Sequence, residues 1–185
     1  MVKLVSILGT SPGGIFETFS NLLTGNYSSE SGKGTPVEIR EVYIIRTNHP
    51  QVTNAWNLLK NIFLCCGVSE HSLSDIVLDI DDIKSPEDYV KFRKEVLGRL
   101  NPGDYVDFTG GRKAMSAAAA IAAIKAGAHL VTTVIEQSDY NRIQELIKAA
   151  PSGSTSTLSD RGQCGSVKNY LCSLISKQSK TILLQ

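Results

Sequence analysis

The sequence predicts a doubly wound α/β fold, and three features carry that prediction. Short runs rich in β-branched and apolar residues recur along the chain. Segments with apolar residues at steps of three and four lie between them. The connections are mostly short and built on Gly, Pro, Asn and Ser. Strands that are apolar along their whole length, separated by amphipathic helices, imply a mainly parallel sheet covered on both faces.

The elements follow in order. VKLVSIL (2–8) is an apolar run closed by Gly9, a buried strand rather than a signal peptide, because turn residues and not a cleavage site come after it. Pro12-Gly13-Gly14 turns the chain into a helical segment at 15–23. Residues 26–36, NYSSESGKGTP, read as a polar, mobile loop. VEIREVYIIR (37–46) is the second strand, broken by Asn48-His49-Pro50. Val52, Ala55, Trp56, Leu59 and Phe63 then mark one face of a helix over 51–66, with Trp56 in the core and Gly67 as the stop. DIVLDI (75–80) is the third strand. Ser85-Pro86-Glu87-Asp88 opens the next helix with a cap, a proline at its first position and acids in its first turn. DYVDF (104–108) is the fourth strand, 112–126 an alanine-rich helix stopped by Gly127, and HLVTTVI (129–135) the fifth strand. Beyond it, 138–151 is a helix or a further strand and turn. Residues 152–165 read as a flexible linker, at most a lid. Residues 166–177 are a short helix, and TILLQ is a strand or a frayed tail. The division is a domain over 1–137 and a C-terminal helical or irregular extension over 138–185, a lid or dimer element and not an independent domain.

The 185 residues, 42% of them hydrophobic, suit one compact unit. The net charge of +1 creates no global field for duplex nucleic acid or a membrane surface, so any anion site is local. No apolar run approaches the roughly 18–20 residues that span a bilayer. The expected setting is the cytoplasm. Cys65, Cys66, Cys164 and Cys172 form no C-x-x-C and have no His at zinc-finger spacing, which reads as buried thiols in a reducing compartment. A Cys164–Cys172 bridge is conceivable but has no positive support. No metal cluster and no cofactor motif stands out.

Ligands of an open parallel sheet bind at the carboxyl ends of its strands. Two of the loops there are glycine turns that open helices, Gly9 to Gly14 and Thr109 to Lys113. Exposed amides and a helix dipole favour an anion at such turns. Arg112 and Lys113 sit at a helix start, where the dipole disfavours cations, and a ligand anion would explain them. Other phosphate motifs fail on spacing. Gly9-x-Ser11 breaks the dinucleotide fingerprint, and Ile15-Phe16 replaces the Lys-Ser/Thr of a nucleoside-triphosphate loop. Gly9-Thr10-Ser11-Pro12-Gly13 matches a nucleophile elbow, yet His49, His71 and His129 are poorly placed to complete a triad. Ser11 is a ligand contact or a helix cap, and His49 is a weak candidate for a general base.

Gly9-Thr10-Ser11-Pro12-Gly13 after the first strand and Asp107-Phe108-Thr109-Gly110-Gly111-Arg112-Lys113-Ala114-Met115 after the fourth together resemble the CARF family, the CRISPR-associated Rossmann-fold domains of type III CRISPR systems. The resemblance implies a Rossmann-like fold and a homodimer that binds cyclic oligoadenylate on its two-fold axis. The chain lacks an R-x-x-x-x-H effector signature after residue 140, so it looks most like a stand-alone ring nuclease. That implies metal-independent cleavage of cyclic tetra-adenylate to linear di-adenylates with 2′,3′-cyclic phosphate ends, with Ser11 and Lys113 as catalytic residues. The expected ligand contacts are Gly9, Thr10, Pro12, Gly13, Arg46, Asn48, Thr109, Gly110, Gly111, Arg112 and Glu136. A non-catalytic sensor or sponge for the same ligand is the alternative. A transcription regulator would need more helices than 138–185 offers.

Overall fold

A computed structural model of the chain describes residues 2–67 and 71–185. Five parallel strands form its centre: β1 (Val2–Ile7), β4 (Ile39–Thr47), β5 (Ser72–Leu78), β6 (Tyr105–Asp107) and β7 (His129–Val134). The full sheet has eight strands in the order β3-β2-β8-β7-β6-β1-β4-β5, where β2 is Tyr27–Ser29, β3 is Gly32–Lys33 and β8 is Lys180–Leu183. The chain leaves β1 to one side for β4 and β5 and returns to the other side for β6 and β7. The order therefore reverses between β1 and β6, and a crevice opens there above the carboxyl ends. This is the Rossmann-like architecture expected.

The helices α1 (Gly13–Thr24), α2 (Pro50–Cys66), α5 (Gln137–Lys148) and α6 (Lys168–Ser173) contribute to one apolar layer, with Phe16, Phe19, Leu58, Leu59, Ile62, Leu171 and Leu174 in it. The opposite face holds α3 (Pro86–Leu97) and α4 (Lys113–Ala126). There the alanines 118, 119, 122 and 123 let α4 lie close to Phe92 and Val96 of α3. Ser85 caps α3 by accepting the Asp88 N–H at 3.1 Å, and Gly127 ends α4 at φ 67°. Trp56 is buried, as its helix position predicts.

Three expectations change and one open alternative, TILLQ, is decided. Residues 26–36 are not a free loop: β2 and β3 pair as a hairpin and β2 extends the sheet. Their polar, glycine-rich composition belongs to an edge strand with exposed faces. TILLQ is a strand: β8 runs antiparallel to β7 and parallel to β2, so the C-terminal extension ends inside the sheet. Residues 152–165 are no flexible linker. Asn61 of α2 holds the carbonyls of Ser154 and Ser156 at 2.9 and 2.8 Å, and a 3₁₀ turn forms at Arg161–Cys164. Finally, the cysteines are not thiols. Cys65 is joined to Cys164 and Cys66 to Cys172, which also rules out Cys164–Cys172. Adjacent cysteines at the end of α2 each meet a partner about a hundred residues away once the C-terminal segment packs on that helix, and no local spacing betrays this.

Candidate functional site

A cleft of about 430 Å³ opens at the reversal point between β1 and β6. Its walls are the two glycine turns. Gly9 and Gly110 are there for each other: a Cβ on Gly9 would meet the Gly111 nitrogen at 2.8 Å, and one on Gly110 would meet the Ile7 carbonyl oxygen at 2.3 Å and the Gly9 nitrogen at 2.9 Å. The turns touch backbone to backbone, and no side chain fits between them. The bare glycines thus have a packing cause beside the ligand cause expected. Gly111 also takes φ 84°, a conformation that costs glycine little.

A buried polar network sets the second turn in place. Asp107, at the end of β6, accepts from the Thr109 amide at 2.9 Å and from Ser6 at 3.2 Å. Thr109 Oγ1 accepts the Thr133 amide at 2.7 Å. Thr133 continues to Thr18 at 2.7 Å and to Thr181 at 2.6 Å, and Asn21 donates to Thr181 at 2.9 Å. The network joins β1, β6, β7, α1 and β8, so the turn after β6 inherits the rigidity of five elements. Burial pushes the Asp107 carboxyl up to about 6 against the hydrogen bonds from Thr109 and Ser6.

Ser11 is not a helix cap, since α1 has no side-chain cap. Its Oγ instead accepts from Gln144 Nε2 of α5 at 2.6 Å. Lys113 opens α4, is exposed, and makes no side-chain hydrogen bond or ion pair among the described residues, while no acid occupies the first turn of its helix. Arg112 lines the cleft and is paired with Asp82.

Of the residues expected at the site, Gly9, Thr10, Ser11, Gly13, Thr109, Gly110, Gly111 and Arg112 share this cleft. Lys113 follows Arg112 in the chain and is not part of the cleft lining. Pro12 is buried beneath the turn. Arg46 is not brought in: it is 9% exposed, donates to Asp75 at 2.7 Å and lies 6.0 Å from the Trp56 ring centre. Asn48 binds Asp79 at 3.1 Å instead. Glu136 borders a separate, open groove of about 730 Å³ between α5 and the residues around α6. His49 does line the cleft, with Nδ1 accepting the Gln51 N–H as a helix cap. Glu17, Tyr140 and Gln144 were not foreseen. Tyr140 and Gln144 are four apart on α5, one face of a helix whose existence the sequence left open. Among the described residues, no group of three or more His, Cys, Asp or Glu is placed to hold a metal, and no helix is long and apolar enough to cross a membrane.

No family model matches the chain. A CRISPR system ring nuclease of Saccharolobus solfataricus, however, is 38% identical to it over 186 aligned positions, which cover 98% of each chain. Identity at that level along the whole length fixes the family. The chain belongs to the CRISPR-system ring nucleases of CARF type. Within this ring-nuclease chain, the two glycine turns that suggested the family are the two walls of one cleft.

Proposed function

We propose that this protein degrades cyclic oligoadenylate of type III CRISPR signalling, and that its substrate is cyclic tetra-adenylate, cut without a metal ion to linear di-adenylates ending in 2′,3′-cyclic phosphate. The observation that carries the reading is the contact of the two glycine turns, which gathers backbone N–H groups from the starts of α1 and α4 around one cleft. The RNA's own 2′-hydroxyl is the nucleophile. A P–O2′ bond forms as the P–O5′ bond breaks; the 2′-hydroxyl proton leaves to solvent and the 5′-oxygen takes one up. The protein's work is alignment and charge stabilisation. Ser11, whose oxygen already accepts from Gln144, has its own hydrogen left to donate to a phosphate oxygen or the 2′-oxygen. Lys113 answers the charge that grows on the phosphate, and Arg112 holds the ring. Thr10, Gly13, Thr109, Gly110 and Gly111 line the ligand's path. The working unit is a homodimer, assigned to the cytoplasm by the signal it degrades and not by its cysteines, which are bridged.

A second reading has one observation in its favour. Lys113 stands outside the cleft wall, as it would in a sensor or sponge that holds the ring intact. Radiolabelled cyclic tetra-adenylate incubated with the protein in EDTA decides between them. Linear di-adenylate with a cyclic phosphate end is the expected product, and Lys113→Ala is expected to slow its appearance roughly a hundredfold or more. Intact, bound ligand would make the protein a sensor, and normal turnover in Lys113→Ala would remove that residue from the mechanism.

A further inference from the structure

The floor of the cleft contains a group that this chemistry does not use. Glu17, on α1 just beyond the first glycine turn, lines the cleft and is 3% exposed. Its Oε1 accepts the Ser176 N–H at 2.6 Å, which ties the segment between α6 and β8 to α1. Its Oε2 is buried with no hydrogen-bond partner among the described residues. A buried carboxylate with an unpaired oxygen is costly as an ion; the neutral acid keeps the Ser176 bond and leaves an unpaired hydroxyl, which costs far less than a buried charge.

The surroundings do not offset a charge there. Asp107 approaches from β6 and Asp139 from α5, both with the same sign. Arg142, also from α5, is the cation that opposes them, but it is committed to Asp139 at 2.8 Å and to the Ser173 carbonyl at 2.8 Å. The other ionisable groups of the cleft have partners or stand on its far wall: Arg112 is paired with Asp82, Asp81 with Lys84, and His49 caps α2, while Tyr140 is largely exposed. Burial is the largest cause, and it holds the Glu17 carboxyl up at about 7; the Ser176 amide opposes it. An anion entering the cleft above Glu17 adds a further charge of the same sign, which disfavours ionisation again.

We propose that Glu17 is a positioning residue that couples ligand binding to proton uptake: as a neutral acid it holds the α6–β8 segment under the first glycine turn and lets a polyanion occupy the cleft, and as a carboxylate it repels that polyanion. The inference rests on the reading of the cleft as a cyclic oligoadenylate site, and it adds a regulation of that site by pH. By linkage, affinity is highest where Glu17 is protonated before binding and declines as pH rises past the value at which the free protein loses that proton.

The test is calorimetric titration of the whole protein with 2′-deoxy cyclic tetra-adenylate, which lacks the attacking hydroxyl and stays intact. Buffers of different ionisation enthalpy report the protons taken up. Wild type is expected to take up a proton near neutral pH, and to bind up to about tenfold more weakly for each pH unit above that point. Glu17→Gln keeps the acceptor for Ser176 and carries a permanent neutral donor, so it is expected to bind with the Glu17-linked uptake gone and affinity nearly flat over the same range. Binding by wild type without proton uptake, or uptake that persists in Glu17→Gln, would overturn the coupling and leave the ligand reading intact. No binding at any pH would overturn both. Should Glu17→Gln fail to fold, the wild type alone keeps the coupling falsifiable: binding without proton uptake, or affinity that does not fall above neutral pH, would overturn it.

Discussion

Ser11 accepts a hydrogen bond from Gln144 at 2.6 Å, so its own hydrogen faces a fixed set of directions before any ligand arrives. A serine hydroxyl that rotates freely is a poor aligning group, because a displacement of about 1 Å at a reacting centre costs on the order of a hundredfold in rate. In the function proposed, Gln144 would act through Ser11 and not on the reacting atoms. Gln144→Ala is expected to lower kcat on cyclic tetra-adenylate by roughly tenfold to a hundredfold and to leave the melting temperature almost unchanged, since Gln144 is only partly buried. Single-turnover kinetics beside a thermal melt checks this. An unchanged rate would mean that Ser11 is oriented by the ligand alone. The same residue shows where sequence reading stops. Ser11 and the glycines were legible because a turn is a local pattern. Glu17, which lines the cleft, and Gln144, which reaches Ser11, were not, because each projects from a helix face whose orientation depends on packing that no short window contains.

At the scale of elements, the inner strands were legible for a physical reason: β1, β6 and the second half of β4 are largely buried and mostly apolar, and the helices between the strands alternate with period 3.6. Of the three strands at the far edge, β2 and β3 were missed, and β8 was left open between a strand and a frayed tail. β2 and β3 are polar and short, and β8 earns its place only by pairing with β7 and β2 at once. The disulfides were hidden for the same reason, since they follow from α6 and the 3₁₀ turn docking on α2. That docking also matters to the cleft. Leu174 lines it, and a Cβ on Gly13 would lie 2.2 Å from the Leu174 carbonyl oxygen, so the C-terminal segment is pressed against the first glycine turn. Each bridge spans a long stretch of chain, 99 and 106 residues, and closing a loop of that size stabilises by about 4–5 kcal/mol in the chain-entropy view. The second bridge closes nearly the same loop and adds far less. Reduction of both is therefore expected to lower the melting temperature by roughly 10 °C, whereas Cys66→Ser with Cys172→Ser, which leaves Cys65–Cys164, is expected to lower it much less. Thiol titration of the unfolded, unreduced protein gives the direct check: four reactive thiols instead of none would remove both bridges.

On the scale of the whole molecule, the cleft is smaller than the ligand proposed for it. About 430 Å³ holds a drug-sized compound, and a ring of four nucleotides exceeds that. A cyclic tetra-adenylate has two-fold symmetry, and an isologous dimer presents the same pair of glycine turns to each half of the ring. Two clefts facing each other across an axis would each grip two nucleotides. Apolar surface stands at the same carboxyl end of the sheet, where Tyr140 is 42% and Val134 46% exposed. In the proposed dimer each cleft would be half of a larger site, and binding and assembly should be linked. We expect one cyclic tetra-adenylate per two chains by calorimetry, and a dimer in analytical ultracentrifugation whose dissociation is suppressed by the ring. One ring per chain, or a monomer that binds with undiminished affinity, would place the whole ligand within a single cleft. The glycine turns would then have to open well beyond the backbone contact that now joins them, and the rigid network from Asp107 through Thr109 to Thr133 argues against such an opening.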